Sequence, residues 1–323
     1  MYQAQMIAFG GPEVLRLIEK LDPQPGPDQV VVATEASGVT FVDTQIRAGR
    51  PPQGVARPTL PLVLGNAVEG RVTVVGSTLD NRLLGSRVVI ATGGSGGYAD
   101  RVVVSADGLT PVPKDLPLGA AVAVLADGRT ALALMRATHV TAGDTVLVLA
   151  AAGGVGSLIL QLARSAGVAH LVAAARGAEK LSLATDLGAD IAIDYDREGW
   201  ERQILEHTAG VDVVFDGVGG ELGARALDLI RPGARFAVYG AASGQTTDAN
   251  LVAAKGAHLI QTRDLVRSLE DNRELVQEAL RRAAIGELRP VVGQTYPLSR
   301  ASDAHLAIEM RQTIGKTILV PDG

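Results

Sequence analysis

The chain contains no cysteine. Disulfides, thiolate nucleophiles and thiolate metal ligands therefore play no part in its stability or chemistry. Aromatic residues are scarce, at 3%, which argues against stacking platforms for single-stranded nucleic acid. The formal net charge is −5 and no basic run of five or more residues occurs, so nucleic acid binding through phosphate neutralisation is disfavoured. No uninterrupted apolar run is long enough to span a bilayer. The segment Met1 to Met6 lacks the basic stretch and apolar core of a signal peptide, and a cytoplasmic enzyme is expected. The histidines are His139, His170, His207, His258 and His305. None forms an H-x-x-x-H pair, and a catalytic zinc needs about three converging N, S or O ligands. No metal is expected, and each histidine is placed at the surface or at a helix cap. A G-x-S-x-G nucleophile elbow is also missing.

What remains is glycine, alanine and valine in a definite order. The 323 residues, 47% of them hydrophobic, leave room for about two domains. Short Val- and Ile-rich runs fill the first third: Gln3 to Phe9, Val14 to Glu19, Gln29 to Ala36, Glu69 to Val75, Arg87 to Ala91 and Ala99 to Val104. Gly and Pro punctuate them, which predicts a β barrel or sandwich. Gly49 to Pro58 reads as a loop, either lid or connector. Near residue 120 the character changes. Ala120 to Ala137 predicts a helix, after which strands and helices alternate through Tyr239. That alternation predicts a parallel sheet wrapped by helices.

The most informative stretch is Leu147-Val148-Leu149-Ala150-Ala151-Ala152-Gly153-Gly154-Val155-Gly156. It reads as a buried strand and a tight turn, followed by a helix whose apolar face runs through Val155, Leu158, Ile159, Leu162 and Ala163. The spacing G-x-G-x-x-G falls on Ala151 to Gly156, with alanine in the first place. Such a turn aims backbone N–H groups and the positive end of a helix dipole at a pyrophosphate. Ser157 is expected either to bond a phosphate oxygen or to cap the helix. An acidic residue about 20 positions on usually holds the ribose diol of NAD. Here the second strand ends Ala175-Arg176-Gly177, with Lys180 just beyond. Cations in that place suit a 2′-phosphate, so NADP(H) is favoured.

Taken together, these residues resemble the zinc-independent quinone oxidoreductase branch (the zeta-crystallin-like enzymes) of the medium-chain dehydrogenase/reductase superfamily. The similarity runs through Asp127-Gly128-Arg129-Thr130-Ala131, the Ala150 to Gly156 turn with Gln161-Leu162-Ala163, Leu187 to Asp190, Ile193-Asp194-Tyr195, Asp216 to Gly219 and Gly315-Lys316. It implies an α/β protein with a GroES-like β-barrel catalytic domain and a Rossmann doubly wound parallel-sheet domain. The expected boundaries are 1–120, 121–264 for the nucleotide-binding domain, and 265–323 for the return. It also implies NADPH as hydride donor. Lys180 and Tyr195 match positions that hold the 2′-phosphate, and Thr130, Gly240, Ser243 and Arg263 match positions lining the cofactor. Relatives dimerise through edge strands of the Rossmann sheet, which makes Ala257 to Gln261 the expected edge.

Departures from the family pattern gather near the substrate. Thr40 replaces a usual Asn, Gln45 a frequent Tyr, and Ala67 a usual acid. Asn66 stands where zinc-dependent relatives carry a histidine ligand. The implied reaction adds hydride to a quinone or an α,β-unsaturated carbonyl, with negative charge developing on the carbonyl oxygen. Thr40, Gln45 and Asn66 are the expected hydrogen-bond donors there. Two further readings are an enoyl reductase acting on pathway-specific or carrier-linked intermediates, and an NADPH-binding protein with little turnover in a structural, sensing or RNA-binding role.

Overall fold

In the computed structural model the Val- and Ile-rich runs of the first third pair as strands. The structure describes every residue except Gln53, Gly54, Arg263, Asp264, Val266, Arg267 and Gly323. It divides into two units, Met1–Ala126 with Val291–Gly323, and Asp127–Pro290.

The first unit begins with β1 (Tyr2–Met6), β2 (Leu15–Glu19), β3 (Gln29–Val39), β4 (Leu62–Val63), β5 (Ala67–Val75), β6 (Arg87–Ala91), β7 (Arg101–Ser105) and β8 (Thr110–Pro111). β3 pairs antiparallel with both β5 and β7. Its register against β5 shifts between Val31 and Val32 and again between Thr34 and Ala36. Such irregularities bend a strand. Val30 and Val32 on β3, Val68 and Val72 on β5, Val88 and Ile90 on β6, and Val102 and Val104 on β7 are all buried in one cluster. The even spacing, two within β3, β6 and β7 and four within β5, keeps these side chains on the core face. One helix here is absent from the expectations, α1 (Phe41–Arg47). The stretch expected as helix from Ala120 to Ala137 is helical along its whole length, the four-residue α2 (Ala120–Ala123) running on into a π-helical segment at Val124–Gly128.

The second unit continues with α3 (Arg129–Thr138), β9 (Thr145–Leu149), α4 (Gly154–Ser165), β10 (His170–Ala175), α5 (Ala178–Asp186) and β11 (Ile191–Asp194). It goes on through α6 (Trp200–His207), β12 (Val211–Asp216), α7 (Gly220–Ala226), β13 (Ile230–Val238), α8 (Ala249–Ala254), β14 (His258–Gln261) and α9 (Leu269–Ala284). The strand order is β11-β10-β9-β12-β13-β14, parallel throughout. This is the doubly wound nucleotide-binding order, with its switch point between β9 and β12. β9 is buried along its whole length, as a central strand covered on both faces must be.

The chain re-enters the first unit with β15 (Val292–Pro297), α10 (Ala301–Glu309) and β16 (Lys316–Val320). β16 pairs antiparallel with β3 and parallel with β15, completing a sheet of order β15-β16-β3-β5-β6-β8. The return comes at Val291, not at residue 265. The reason is α9. Its buried stripe Leu275, Val276, Ala279 and Leu280 belongs to the second unit, where α9 packs on α3. Two side-chain ties hold it there: Arg129 Nη1 to Asn272 Oδ1 at 2.8 Å and Arg136 Nη1 to Asp271 Oδ1 at 2.7 Å.

Candidate functional site

The turn after β9 is built as its glycines require. Gly153 precedes α4 in an extended conformation, and no side chain caps the helix. The first N–H groups of a helix have no intrahelical partner, so an uncapped N-terminus offers them to a ligand. A Cβ on Gly153 would approach only the Ala150 carbonyl, at 3.3 Å. A Cβ on Gly154 would collide with the Asp127 carboxylate, and one on Gly156 with the Ala150 carbonyl oxygen. Gly156 thus lets α4 press against the end of β9, and Gly153 leaves open room in front of the turn. Val155 follows in the first turn of α4. Ser157 fills neither expected role. It is 1% exposed and its Oγ donates to the Gly154 carbonyl at 2.9 Å, because the hydroxyl lies within the helix and not at its cap.

Across the switch point, Asp216 closes β12 with a fully buried carboxylate. Oδ1 accepts from Val218 N–H (2.9 Å) and Gly219 N–H (2.8 Å), and Oδ2 from the Thr247 hydroxyl (2.5 Å). Burial raises its pKa and these donors oppose the rise. The carboxylate therefore sets the shape of the Gly217–Gly220 loop. The neighbouring loop after β13 lies on it: Ser243 N–H donates to Val218 O at 2.9 Å, and a Cβ on Gly240 would stand 2.6 Å from Gly217 O. Tyr239 ties both loops to the switch point by donating its hydroxyl to Leu149 O at 2.6 Å. Gly240 and Ser243 thus sit at the same strand ends as the glycine turn. Sequence reading missed Thr247 and Tyr239, whose partners lie 31 and 90 residues away.

The cationic corner is placed as the strand reading predicts, with one addition. Arg176 directly follows β10 and Lys180 lies in the first turn of α5. Tyr195 follows β11 and is buried. The addition is Asp196, whose carboxylate pairs with Arg176. Thr130 is the second residue of α3. Arg263 falls outside the described residues.

The residues expected near the hydride acceptor lie in the first unit. Thr40 is the N-cap of α1. Its hydroxyl donates to Asp43 Oδ2 (2.7 Å) and accepts from Asp43 N–H (3.2 Å), and Asp43 Oδ2 also accepts from Thr40 N–H (2.8 Å), which completes a reciprocal capping box. A hydroxyl has one proton. That proton is spent on Asp43, so the donor role expected of Thr40 does not fit its geometry. Asn66 differs. Its Oδ1 accepts from Gly94 N–H at 2.7 Å, which orients the amide and leaves its NH₂ group for donation. Gln45 lies half-buried on α1.

Beneath α1 runs a buried polar chain that composition gave no sign of. His305, expected at the surface or a cap, is fully buried. Arg47 Nε donates to His305 Nδ1 at 3.3 Å, and the Tyr98 hydroxyl lies 3.0 Å from Nε2. A guanidinium only donates, so Nδ1 carries no proton and Nε2–H faces Tyr98. Burial, and then the nearby Asp43 carboxylate, raises the Tyr98 pKa. Burial, then the charge of Arg47, lowers the His305 pKa from 6.5 to about 3. Arg47 is itself matched by Glu309 and the Gly10 carbonyl. Among the described residues, no group of three or more His, Asp or Glu is placed to hold a metal ion.

Residues 26–114 match the alcohol dehydrogenase GroES-like domain, and residues 187–319 the zinc-binding dehydrogenase family. Over 325 residues the chain is 36% identical to a quinone oxidoreductase of Pseudomonas aeruginosa, covering 98% of each. The chain belongs to the zinc-independent quinone oxidoreductase branch of the medium-chain dehydrogenase/reductase superfamily. Within the superfamily it is also 35% identical to a Burkholderia 2-haloacrylate reductase, covering 97% of this chain and 96% of that one. Among solved structures it resembles the Escherichia coli quinone oxidoreductase complexed with NADPH. There the TM-score is 0.89 at 31% identity, covering 99% of this chain and 100% of that one. The GroES-like and Rossmann architecture expected of the branch is the one described above.

Proposed function

We propose that this protein is an NADPH-dependent reductase that delivers hydride to a quinone or an α,β-unsaturated carbonyl compound. The observation that carries the reading is the uncapped N-terminus of α4 at the switch point, with the Arg176 and Lys180 corner on the same sheet. The open side of Gly153 fits a pyrophosphate, and the absence of an acid at the tip of β10 fits a 2′-phosphate. When bound, NADPH supplies a hydride to an electron-poor carbon. The chain's own residues do the rest. Amides of Gly154, Val155 and Gly156 hold the pyrophosphate, and Arg176, Lys180 and Tyr195 hold the 2′-phosphate. Thr130, Gly240 and Ser243 line the nucleotide, together with Arg263. Asn66 and Gln45 donate hydrogen bonds to the acceptor's carbonyl oxygen as negative charge grows there, which lowers the barrier without a strong acid. Thr40 acts beside them through the fixed start of α1, not as a donor.

Quinone oxidoreductases and a 2-haloacrylate reductase both stand among the relatives, which supports an acceptor class of quinones and activated alkenes. Homodimerisation through β14 is part of the proposal. Among the described residues, β14 pairs only with β13 and is the last strand of its sheet. The deciding experiment is NADPH oxidation followed at its absorbance band across a panel of quinones, enones, 2-haloacrylates and enoyl thioesters. Turnover of quinones or enones is expected. Tight NADPH binding with no oxidation by any acceptor would refute the enzymatic reading, and turnover of enoyl thioesters alone would move the substrate to that class.

A further inference from the structure

The rim that receives the 2′-phosphate carries its own negative charge. β10 and β11 pair in register, with Ala175 opposite Asp194. Asp194 then ties the two strand ends together. One of its oxygens accepts from Gly177 N–H at 3.3 Å and the other from Asp196 N–H at 3.1 Å. Arg176 and Asp196 are thereby held on facing loops, and their side chains pair. Both remain solvent-exposed, at 52% and 38%. An exposed ion pair of this kind adds little to folding stability. It also occupies the one guanidinium that directly follows β10.

We infer that Asp196 sets the cofactor preference of this protein by occupying Arg176. The inference rests on the NADPH reading above. A 2′-phosphate must either draw Arg176 away from Asp196 or share it, so part of the attraction is already spent before the nucleotide arrives. A cofactor with a free 2′-hydroxyl gives up nothing in this exchange, and Asp196 can accept a hydrogen bond from that hydroxyl, as acidic residues do in NAD sites. The pair therefore narrows the difference between the phosphorylated and unphosphorylated cofactor. Without it Arg176 favours the phosphate more strongly. Coulomb attraction across a few ångströms, screened at physiological salt, makes the expected change about three- to tenfold in Kd.

The test is titration calorimetry of the full chain with NADPH and with NADH, using the wild type, Asp196→Asn, Arg176→Ala and the double variant. Asp196→Asn is expected to bind NADPH about three- to tenfold more tightly and NADH no more tightly. In the Arg176→Ala background the same substitution is expected to give a much smaller gain. Equal gains in both backgrounds would show that Asp196 acts without Arg176 and would overturn the inference. Equal gains for NADPH and NADH, or none for either, would overturn it too. A wild type that binds neither nucleotide would instead remove the NADPH reading itself.

Discussion

His305 offers a sharp test of the buried chain beneath α1. Its pKa falls from 6.5 to about 3. Below about pH 6.5 the unfolded chain takes up a proton at this imidazole and the folded chain does not. The unfolded state then binds more protons, so stability is complete above that pH and falls as the pH drops toward 3. Between about pH 7.5 and pH 5 the loss amounts to some 1.5 logarithmic units, or about 2 kcal/mol. The geometry says why the proton cannot be taken up: Arg47 already donates to Nδ1, and an imidazolium would set two cations against each other in a fully buried site. The perturbation is His305→Gln, whose amide can accept from Arg47 and donate to Tyr98. The assay is urea unfolding of both proteins at the two pH values, followed by circular dichroism. The buried carboxylates Asp43, Glu69 and Asp216, whose pKa values burial raises, are common to both proteins and cancel in the comparison. The wild type is expected to lose about 2 kcal/mol more than the variant on acidification. Equal pH slopes would refute the buried, neutral His305.

Three other outcomes follow from the structure. Gly156→Ala drives a Cβ into the Ala150 carbonyl, and Ala151 Cα and O stand 3.0 Å from it. The backbone must give, so about 1–3 kcal/mol of stability is expected to be lost and NADPH affinity with it, read by thermal unfolding and titration. Arg87→Met leaves the fully buried Glu69 carboxylate with the Gly119 N–H at 3.0 Å but without its paired guanidinium. A loss of about 3–5 kcal/mol is expected, and pairing it with Glu69→Gln should recover much of that loss in chemical denaturation. Gln45→Ala should lower kcat for quinone reduction by about tenfold or more while NADPH Kd stays within twofold, given the usual worth of one oxyanion donor. Equal losses in both would return Gln45 to a purely structural role.

Local order was readable from the sequence wherever a short-range rule governs it. The Leu147–Gly156 turn, the β10 strand at His170–Ala175 and the β16 strand at Lys316–Val320 follow from glycine spacing and apolar runs. The helix at Phe41–Arg47 carried a signal too. Thr40-Phe41-Val42-Asp43 has the spacing of a capping box, with Asp in place of the more usual Glu or Gln. The return point was not readable, because the stripe Leu275, Val276, Ala279 and Leu280 fits any apolar partner and only packing on α3 selects one. The same holds for the partner of Arg176. The sequence placed a cation at the end of β10, and only the pairing of β10 with β11 brought Asp196 to it.

By itself, then, the sequence determined the alternation of strand and helix and the glycine turn after β9. Each depends on residues within a few positions of one another. The tertiary structure decided which polar groups are already committed. It gave Thr40's proton to Asp43, buried His305 between Arg47 and Tyr98, and set Asp196 against Arg176. A hydrogen bond or charge pair is settled by proximity in space. His305 and Arg47 are 258 residues apart, and no local pattern in the chain encodes that meeting.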